Sequence, residues 1–157
     1  MKVFDTTAVI AFLKDMDFQD GFESLSKKYK LYIPAGVAAE VTKQPTKEKL
    51  SLLIEKNLVK IVEVDQAAIK WMMGMHPQLG RGECEAIIYA EAQGNTGKIC
   101  IVSDDKKARS KFGKLNFKWT ERLIQLMKED GMIDEQTHAK LMEKLGQSAF
   151  YYKGRKN

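Results

Sequence analysis

The stretch "KICIVSDDKKARS", residues 98–110, joins a short apolar segment to two adjacent aspartates and then to a basic run. A few apolar residues bounded by polar ones predict a buried strand from Lys98 to Ser103. Asp104 and Asp105 then follow the carboxyl end of that strand. Two adjacent carboxylates repel each other unless a positive charge compensates them. What compensates them here depends on the rest of the chain.

Strands and helices alternate along the sequence. Further strands are predicted at Lys2–Phe4, Leu31–Ile33 and within "LVKIVEV", residues 58–64. The helices are predicted at Thr7–Leu13, Phe18–Tyr29, Pro34 to about Lys43, Lys47–Lys56, Gln66–Met75, 83–93, Lys106–Phe112, Thr120–Lys128 and Asp134–Leu145. This pattern predicts an α/β fold of three layers, α/β/α, with a central, mostly parallel sheet of four to five strands.

Glycines predict two boundaries within this arrangement. Gly80-Arg81-Gly82 is interpreted as a loop before the helix at 83–93, and Gly146 is placed just past the last helix. One domain is expected over residues 1–146, followed by a basic and aromatic tail, residues 147–157.

Composition narrows the classes of protein. The chain has 157 residues, a net charge of +5 and no apolar run of membrane-spanning length, so a cytoplasmic protein is expected. An aspartate already at position 5 is not typical of a signal peptide. The two cysteines, Cys84 and Cys100, lie in apolar segments and predict buried thiols rather than a disulfide or a zinc site. The basic charge weakly favours a polyanionic partner such as nucleic acid.

Acidic residues fall where the predicted strands end and where helices begin. Elements that leave the carboxyl edge of a parallel sheet converge on one crevice. Carboxylates gathered there either keep their protons or bind a divalent cation, and oxygen ligands without Cys or His select Mg²⁺ or Mn²⁺. The residues concerned are Asp5, Glu40, Glu83, Glu85, Asp104 and Asp105.

Each of these acids also has an ordinary structural explanation. Asp5 and Asp105 can be N-caps, and Glu83 and Glu85 can complement a helix dipole in a first turn. Glu40 can be a solvated helix residue. The structural explanation is adequate for any one of them, and it weakens if several meet in one cleft.

Four segments in order, "VFDTTAVIAFL", "IPAGVAAEV", "LGRGECEAIIYAEA" and "IVSDDKKAR", resemble the PIN-domain ribonucleases. The similarity is to a prokaryotic, VapC-like subgroup with a "GxGE" helix and a "DD" strand end. The segment "TERLIQLMKEDGMIDEQTHAKLMEKLG" is similar to the C-terminal helices of that subgroup, so the resemblance covers nearly the whole chain.

The resemblance implies a metal-dependent endoribonuclease that uses Mg²⁺ or Mn²⁺. Its acidic positions match Asp5, Glu40, Glu83 and Asp105, with Asp104 and Glu85 as less favoured ligands. Asp104 and Asp105 are adjacent and diverge in direction, and Glu83 and Glu85, two positions apart on a helix, point roughly opposite ways. The two members of each pair are therefore not expected to bind the metal equally. The residues expected to contact substrate are Thr7, Ser103, Lys106 and Arg109.

The implied partners are RNA, a second copy of the chain and a small antitoxin protein, with no membrane. A toxin role and a stand-alone RNA-processing role both stay open. Two other classes of function are considered. An aspartate-based phosphatase or phosphoryl-transfer domain would require a second aspartate where Thr7 stands, or a receiver aspartate such as Asp65. A non-catalytic scaffold that binds RNA or protein would be expected to have lost an acidic position.

Overall fold

A computed structural model describes residues 1–94 and 98–148. Its elements, in chain order, are β1 (Lys2–Phe4), α1 (Thr6–Ile10), a π-helical turn (Ala11–Asp15), α2 (Asp20–Ser26), β2 (Leu31–Pro34), α3 (Ala35–Glu40), α4 (Thr46–Glu55), β3 (Lys60–Val62), α5 (Gln66–Met75), α6 (Arg81–Ala92), β4 (Cys100–Val102), α7 (Lys106–Lys111), β5 (Phe117–Lys118), α8 (Thr120–Glu129) and α9 (Glu135–Gln147). Within these residues one sheet of five strands, all parallel, has the order β3-β2-β1-β4-β5.

The sheet separates two apolar cores because successive strand residues face opposite sides. Phe4 enters the core of one face, where its ring meets those of Phe12 and Phe22. Val3 enters the other core, together with Ile87 of α6 and residues of α5 and α7. Helices α1, α2, α4, α8 and α9 contribute to the Phe4 core. The predicted three-layer α/β/α class is therefore confirmed.

The order of the strands determines where a binding crevice forms. From β1 the chain moves to β2 and β3 on one side, and then returns to β4 and β5 on the other. The topological switch point therefore lies between β1 and β4, and ligands of such sheets bind beyond the carboxyl ends of the strands there. The Asp5 backbone N–H donates to the Val102 carbonyl at 3.1 Å, which joins the two strand ends.

The structure corrects the prediction at three boundaries and adds one strand that the sequence does not predict. Arg81 and Gly82 lie inside α6, so the predicted loop of Gly80-Arg81-Gly82 is wrong beyond Gly80. Helix α3 ends at Glu40 rather than near Lys43, because Val41 already leaves the helical conformation at φ −81° and ψ 80°. Gly146 lies inside α9, which continues to Gln147. β5 was not predicted, since a strand of two residues has no readable periodicity.

The remaining expectations concern the C-terminal tail, the two cysteines and membrane-spanning helices. The residues 149–157 of the predicted tail lie outside the described residues. Cys84 and Cys100 are buried free thiols, as expected. Within the part of the chain that is described, no helix is long and apolar enough to cross a membrane.

Candidate active site

Asp5 is the most constrained carboxylate at the switch point. It follows β1, is 0% exposed and caps α1, with its Oδ1 accepting from the Ala8 N–H at 2.9 Å and from the Thr7 hydroxyl at 2.7 Å. Its buried Oδ2 has no hydrogen-bond partner among the described residues. Burial raises the pKa of Asp5 to about 7, and the negative charge of Glu83 adds to the rise. The hydrogen-bond donors around the carboxylate lower the pKa and so offset part of this rise.

Glu40 reaches the site from the last residue of α3. Its exposed side chain accepts a short hydrogen bond from the Thr6 hydroxyl of α1. Gly82 of α6 closes the group, because a Cβ there would lie 2.6 Å from the Thr6 hydroxyl oxygen and 3.2 Å from a Glu40 carboxylate oxygen. Only a residue without a side chain allows α1, α3 and α6 to approach this closely.

Glu83 lies in the first turn of α6, half-buried and folded back on Gly80. Burial raises its pKa, and the charges of Asp105 and Glu40 raise it further, while backbone N–H groups of Glu83 and Gly80 oppose the rise. Asp5 is in turn influenced by Glu83. Glu83 is therefore the carboxylate that electrostatically couples Asp5, Glu40 and Asp105.

Glu85, two residues further on, faces a different environment. Its 1% exposed carboxylate accepts from the Gly36 N–H at 2.6 Å and from Arg81 Nε at 2.7 Å. A Cβ at Gly36 would lie 2.3 Å from the Glu85 carboxylate. Glu85 therefore ties α6 to the start of α3, and both its oxygens already have donors.

The adjacent aspartates also diverge. Both Asp104 oxygens are bound by Thr120 at the start of α8, Oδ1 by its N–H at 2.8 Å and Oδ2 by its hydroxyl at 2.6 Å. Asp105 caps α7 instead, and its Oδ1 accepts from the Ala108 N–H at 2.8 Å. Burial raises the pKa of Asp104, whereas the bonds from Thr120 lower it. The hydrogen bonds from Thr120 therefore compensate Asp104, and the positive charge of Arg109 adds to their effect.

Two hydroxyls connect these carboxylates. Thr7 donates to Asp5 and accepts from the Asp104 N–H at 3.0 Å, so it spans the ends of β1 and β4. Ser103 is 1% exposed, accepts from the Asp105 N–H at 3.1 Å and acts as a donor that lowers the pKa of Asp5. Both therefore position carboxylates.

The predicted cations lie outside the carboxylate group. Lys106 is exposed in the first turn of α7, and Arg109 lies one turn later, over the ring of Trp119. Beside Glu40, a cavity of about 380 Å³ is lined by Ala35, Gly36, Ala39, Glu40 and Arg81. Glu40 can therefore be reached from solvent between α3 and α6.

The donor set fits a hard cation, although no ligand cage is preformed. Within residues 1–94 and 98–148, no three Asp, Glu, His or Cys side chains are arranged to hold a metal ion together. The acidic groups whose charges raise the pKa of Asp5 and of Glu83 nevertheless offer only carboxylate oxygens, the ligands of Mg²⁺ and Mn²⁺. Among these carboxylate oxygens, the unpartnered Oδ2 of Asp5 is the one that most lacks a positive partner.

Sequence patterns did not indicate several residues that organise this edge of the sheet. Thr6 and Thr120 bind carboxylates that are 34 and 16 positions away along the chain. Trp119 is an exposed aromatic residue directly after β5. Arg81 was assigned to a loop, yet it pairs with Glu85 and binds Gln66 Oε1 at 3.1 Å.

Fold and site together define an α/β protein with an acidic crevice at the carboxyl ends of its central strands. The chain matches the family described as "DUF3368: PIN domain" over residues 1–155. The chain belongs to the PIN-domain family, whose members are generally nucleases and typically use divalent metals. Neither the curated proteins nor the solved structures contain a significant match.

Replacing Asp5 is expected to stabilise the metal-free protein. The pKa of the Asp5 carboxyl is raised from 3.8 to about 7 in the folded protein. The folded protein therefore loses stability as the pH rises from 3.8 to about 7, because ionisation costs more free energy in the folded state than in the unfolded state. Asp5→Asn should therefore be more stable than the wild type in EDTA at pH 8, by about 2–4 kcal/mol. The advantage should shrink to about 1 kcal/mol or less at pH 4.5. Urea unfolding at both pH values measures it.

The control for this measurement is Glu91→Gln, which changes an exposed carboxylate on the same helix as Glu83. It should leave stability unchanged at both pH values. An Asp5→Asn advantage that is independent of pH would contradict the assignment of the effect to the buried charge.

Glu83 and Glu85 are expected to have opposite phenotypes. Glu85→Ala leaves the buried Gly36 N–H without its acceptor and should cost about 2–4 kcal/mol of unfolding free energy. Glu83→Gln should leave stability in EDTA the same or higher, because it removes a charge that Asp105 and Glu40 destabilise. Mn²⁺ should still raise the melting temperature of Glu85→Ala, and should raise that of Glu83→Gln much less. Thermal melts with Mn²⁺ and with EDTA separate the two; equal effects of Mn²⁺ on both would contradict the assignment.

Proposed function

We propose that this PIN-domain protein is a metal-dependent endoribonuclease that hydrolyses RNA phosphodiesters with Mg²⁺ or Mn²⁺. One observation carries the proposal above the others. The Asp5 carboxylate is fully buried at the switch point of the sheet, and its Oδ2 has no partner among the described residues. A buried carboxylate with one unpartnered oxygen is costly in free energy, and a cation bound to that oxygen removes the cost.

The proposed metal ligands are Asp5, Glu40, Glu83 and Asp105. When bound, the cation activates water and neutralises charge that develops on the phosphodiester. Glu85 and Asp104 are less suited to this role because each of their two carboxylate oxygens already has a protein donor, whereas both donors to Asp5 bind the same oxygen. Protein nucleophiles are not required, since the proposed nucleophile is water.

The chain's own residues hold this arrangement in place. Ala8 and Thr7 fix Asp5, Ala108 fixes Asp105, and Thr6 directs Glu40 toward α6. Orienting ligands before the substrate arrives lowers the entropic part of the barrier. The buried hydroxyl of Ser103 accepts from the Asp105 backbone N–H and lowers the pKa of Asp5.

Substrate is proposed to approach from two sides of the carboxylates. The cavity between α3 and α6 leads to Glu40, and Arg81 is its only basic lining residue. Lys106 and Arg109 on α7 provide positive charge on the side of Asp105 and would bind phosphates of the strand. The net charge of +5 supports a polyanionic substrate.

RNA as the substrate, the VapC-like subgroup and the cytoplasmic location rest on the sequence resemblance. The same holds for a homodimer, a small antitoxin partner and the choice between a toxin and an RNA-processing enzyme. These assignments stay proposals. An antitoxin would be expected to inhibit cleavage of RNA by the purified protein.

Cleavage assays test the proposal directly. Purified protein is incubated with a labelled single-stranded RNA and a labelled RNA hairpin in Mg²⁺, Mn²⁺ or EDTA. We expect internal cleavage with either metal and none in EDTA. Asp5→Asn and Glu83→Gln should each reduce the rate by about 100-fold or more, since each removes a proposed ligand.

The matched control is again Glu91→Gln, which should cleave like the wild type. Circular dichroism confirms that each variant is folded. Full activity of Asp5→Asn would remove Asp5 from the mechanism. Release of phosphate from a phosphomonoester without RNA cleavage would favour the phosphatase alternative instead.

A further inference from the structure

The two tryptophans of the chain occupy very different positions, although both are exposed. Trp71 lies on α5 and is 64% exposed. Trp119 directly follows β5 at the carboxyl edge of the sheet and is 39% exposed. Only Trp119 therefore lies at the edge that carries the acidic residues.

The backbone around Trp119 is held against the acidic strand end. The Ser103 N–H donates to the Lys118 carbonyl at 3.0 Å, and Thr120 binds Asp104 through both its N–H and its hydroxyl. The residues on both sides of Trp119 are thus fixed to Ser103 and Asp104. The backbone at Trp119 is therefore held beside Asp104 by its two neighbours, while its own ring stays exposed.

The indole ring has a cationic neighbour. The guanidinium carbon of Arg109 lies 4.8 Å from the centroid of the Trp119 ring. Arg109 projects from the last turn of α7, the helix that Asp105 caps, and Trp119 is the N-cap residue of α8, so the pair connects these two helices. The contact leaves more than a third of Trp119 exposed. An aromatic surface that is rigid, exposed and flanked by a cation is typical of platforms for unpaired bases.

We propose that Trp119 and Arg109 form a base-stacking subsite for single-stranded RNA beside the acidic cluster. The ring of Trp119 stacks on an unpaired base, and Arg109 contacts a neighbouring phosphate. This inference deepens the proposed nuclease function and rests on it for the choice of ligand. Because duplex bases already stack on one another, the subsite selects single-stranded segments.

Tryptophan fluorescence tests the proposal without relying on cleavage. The variants Trp71→Phe and Trp119→Phe each leave one tryptophan as the only indole. Both are combined with Asp5→Asn, so that RNA stays intact in Mg²⁺. Each is titrated with a single-stranded oligoribonucleotide and with the same sequence as a duplex, while the anisotropy of an RNA label reports binding.

Single-stranded RNA should strongly quench Trp119 in the Trp71→Phe protein and leave Trp71 in the Trp119→Phe protein nearly unchanged. Duplex RNA should quench neither. Trp119→Ala should weaken binding of the single strand by about 5- to 140-fold, and Trp119→Phe by less, because an aromatic face remains. The matched control Trp71→Ala should bind like its parent.

Binding of the single strand without quenching of Trp119 would overturn the proposal, as would equal quenching by the duplex or the absence of binding. Trp119→Ala binding like the parent would also overturn it. The binding result can be distinguished from the result of the cleavage assay. If single-stranded RNA quenches Trp119 but the wild-type protein never cleaves RNA, the subsite stands and the catalytic function is rejected.

Discussion

The structure depends on one unfavourable arrangement, a carboxylate buried at the end of the central strand. Asp5 follows β1, which pairs with strands on both sides, so its position cannot shift without disturbing the sheet. Burial raises its pKa to about 7 and leaves one of its oxygens without a partner among the described residues. Groups with strongly perturbed pKa values concentrate at functional sites. The neighbouring side chains can each be understood by what they do to this charge.

Helix α6 brings further negative charge toward Asp5 instead of relieving it. Its first turn presents Glu83 to Asp105 and Glu40, while Gly82 lets the helix approach α1 and α3 closely. Two residues further on, Glu85 anchors the same helix on the Gly36 N–H. The motif "GRGECE" therefore combines a structural carboxylate, a close contact and a coupled carboxylate within six residues. The two glutamates have separate tasks because they point in roughly opposite directions on the helix.

Much of this organisation could be predicted from local sequence. The apolar segments before Asp5 and Asp104 predicted two strands that end at one edge of a parallel sheet, since strand periodicity and strand ends are local signals. The glycines at 80 and 82 misled the prediction of α6, because glycine marks loops in sequence but here serves a close contact between helices. The partners of Glu40 and Asp104 could not be predicted, because Thr6 and Thr120 meet them only through the tertiary fold. The short β5 and the exposed Trp119 after it depend on the same long-range pairing.

The structural and functional explanations of Asp5 and Asp105 are compatible rather than competing. Each caps a helix through Oδ1, at 2.9 and 2.8 Å from a backbone N–H, and so each carboxylate is oriented by the backbone itself. A carboxylate has two oxygens with about four acceptor sites, so capping does not exhaust it. A capped aspartate at a strand end is therefore pre-oriented for a cation, and the entropy of ordering it is already lost on folding. Asp104 shows the contrast, because Thr120 donates to both its oxygens and so holds the strand end to the start of α8.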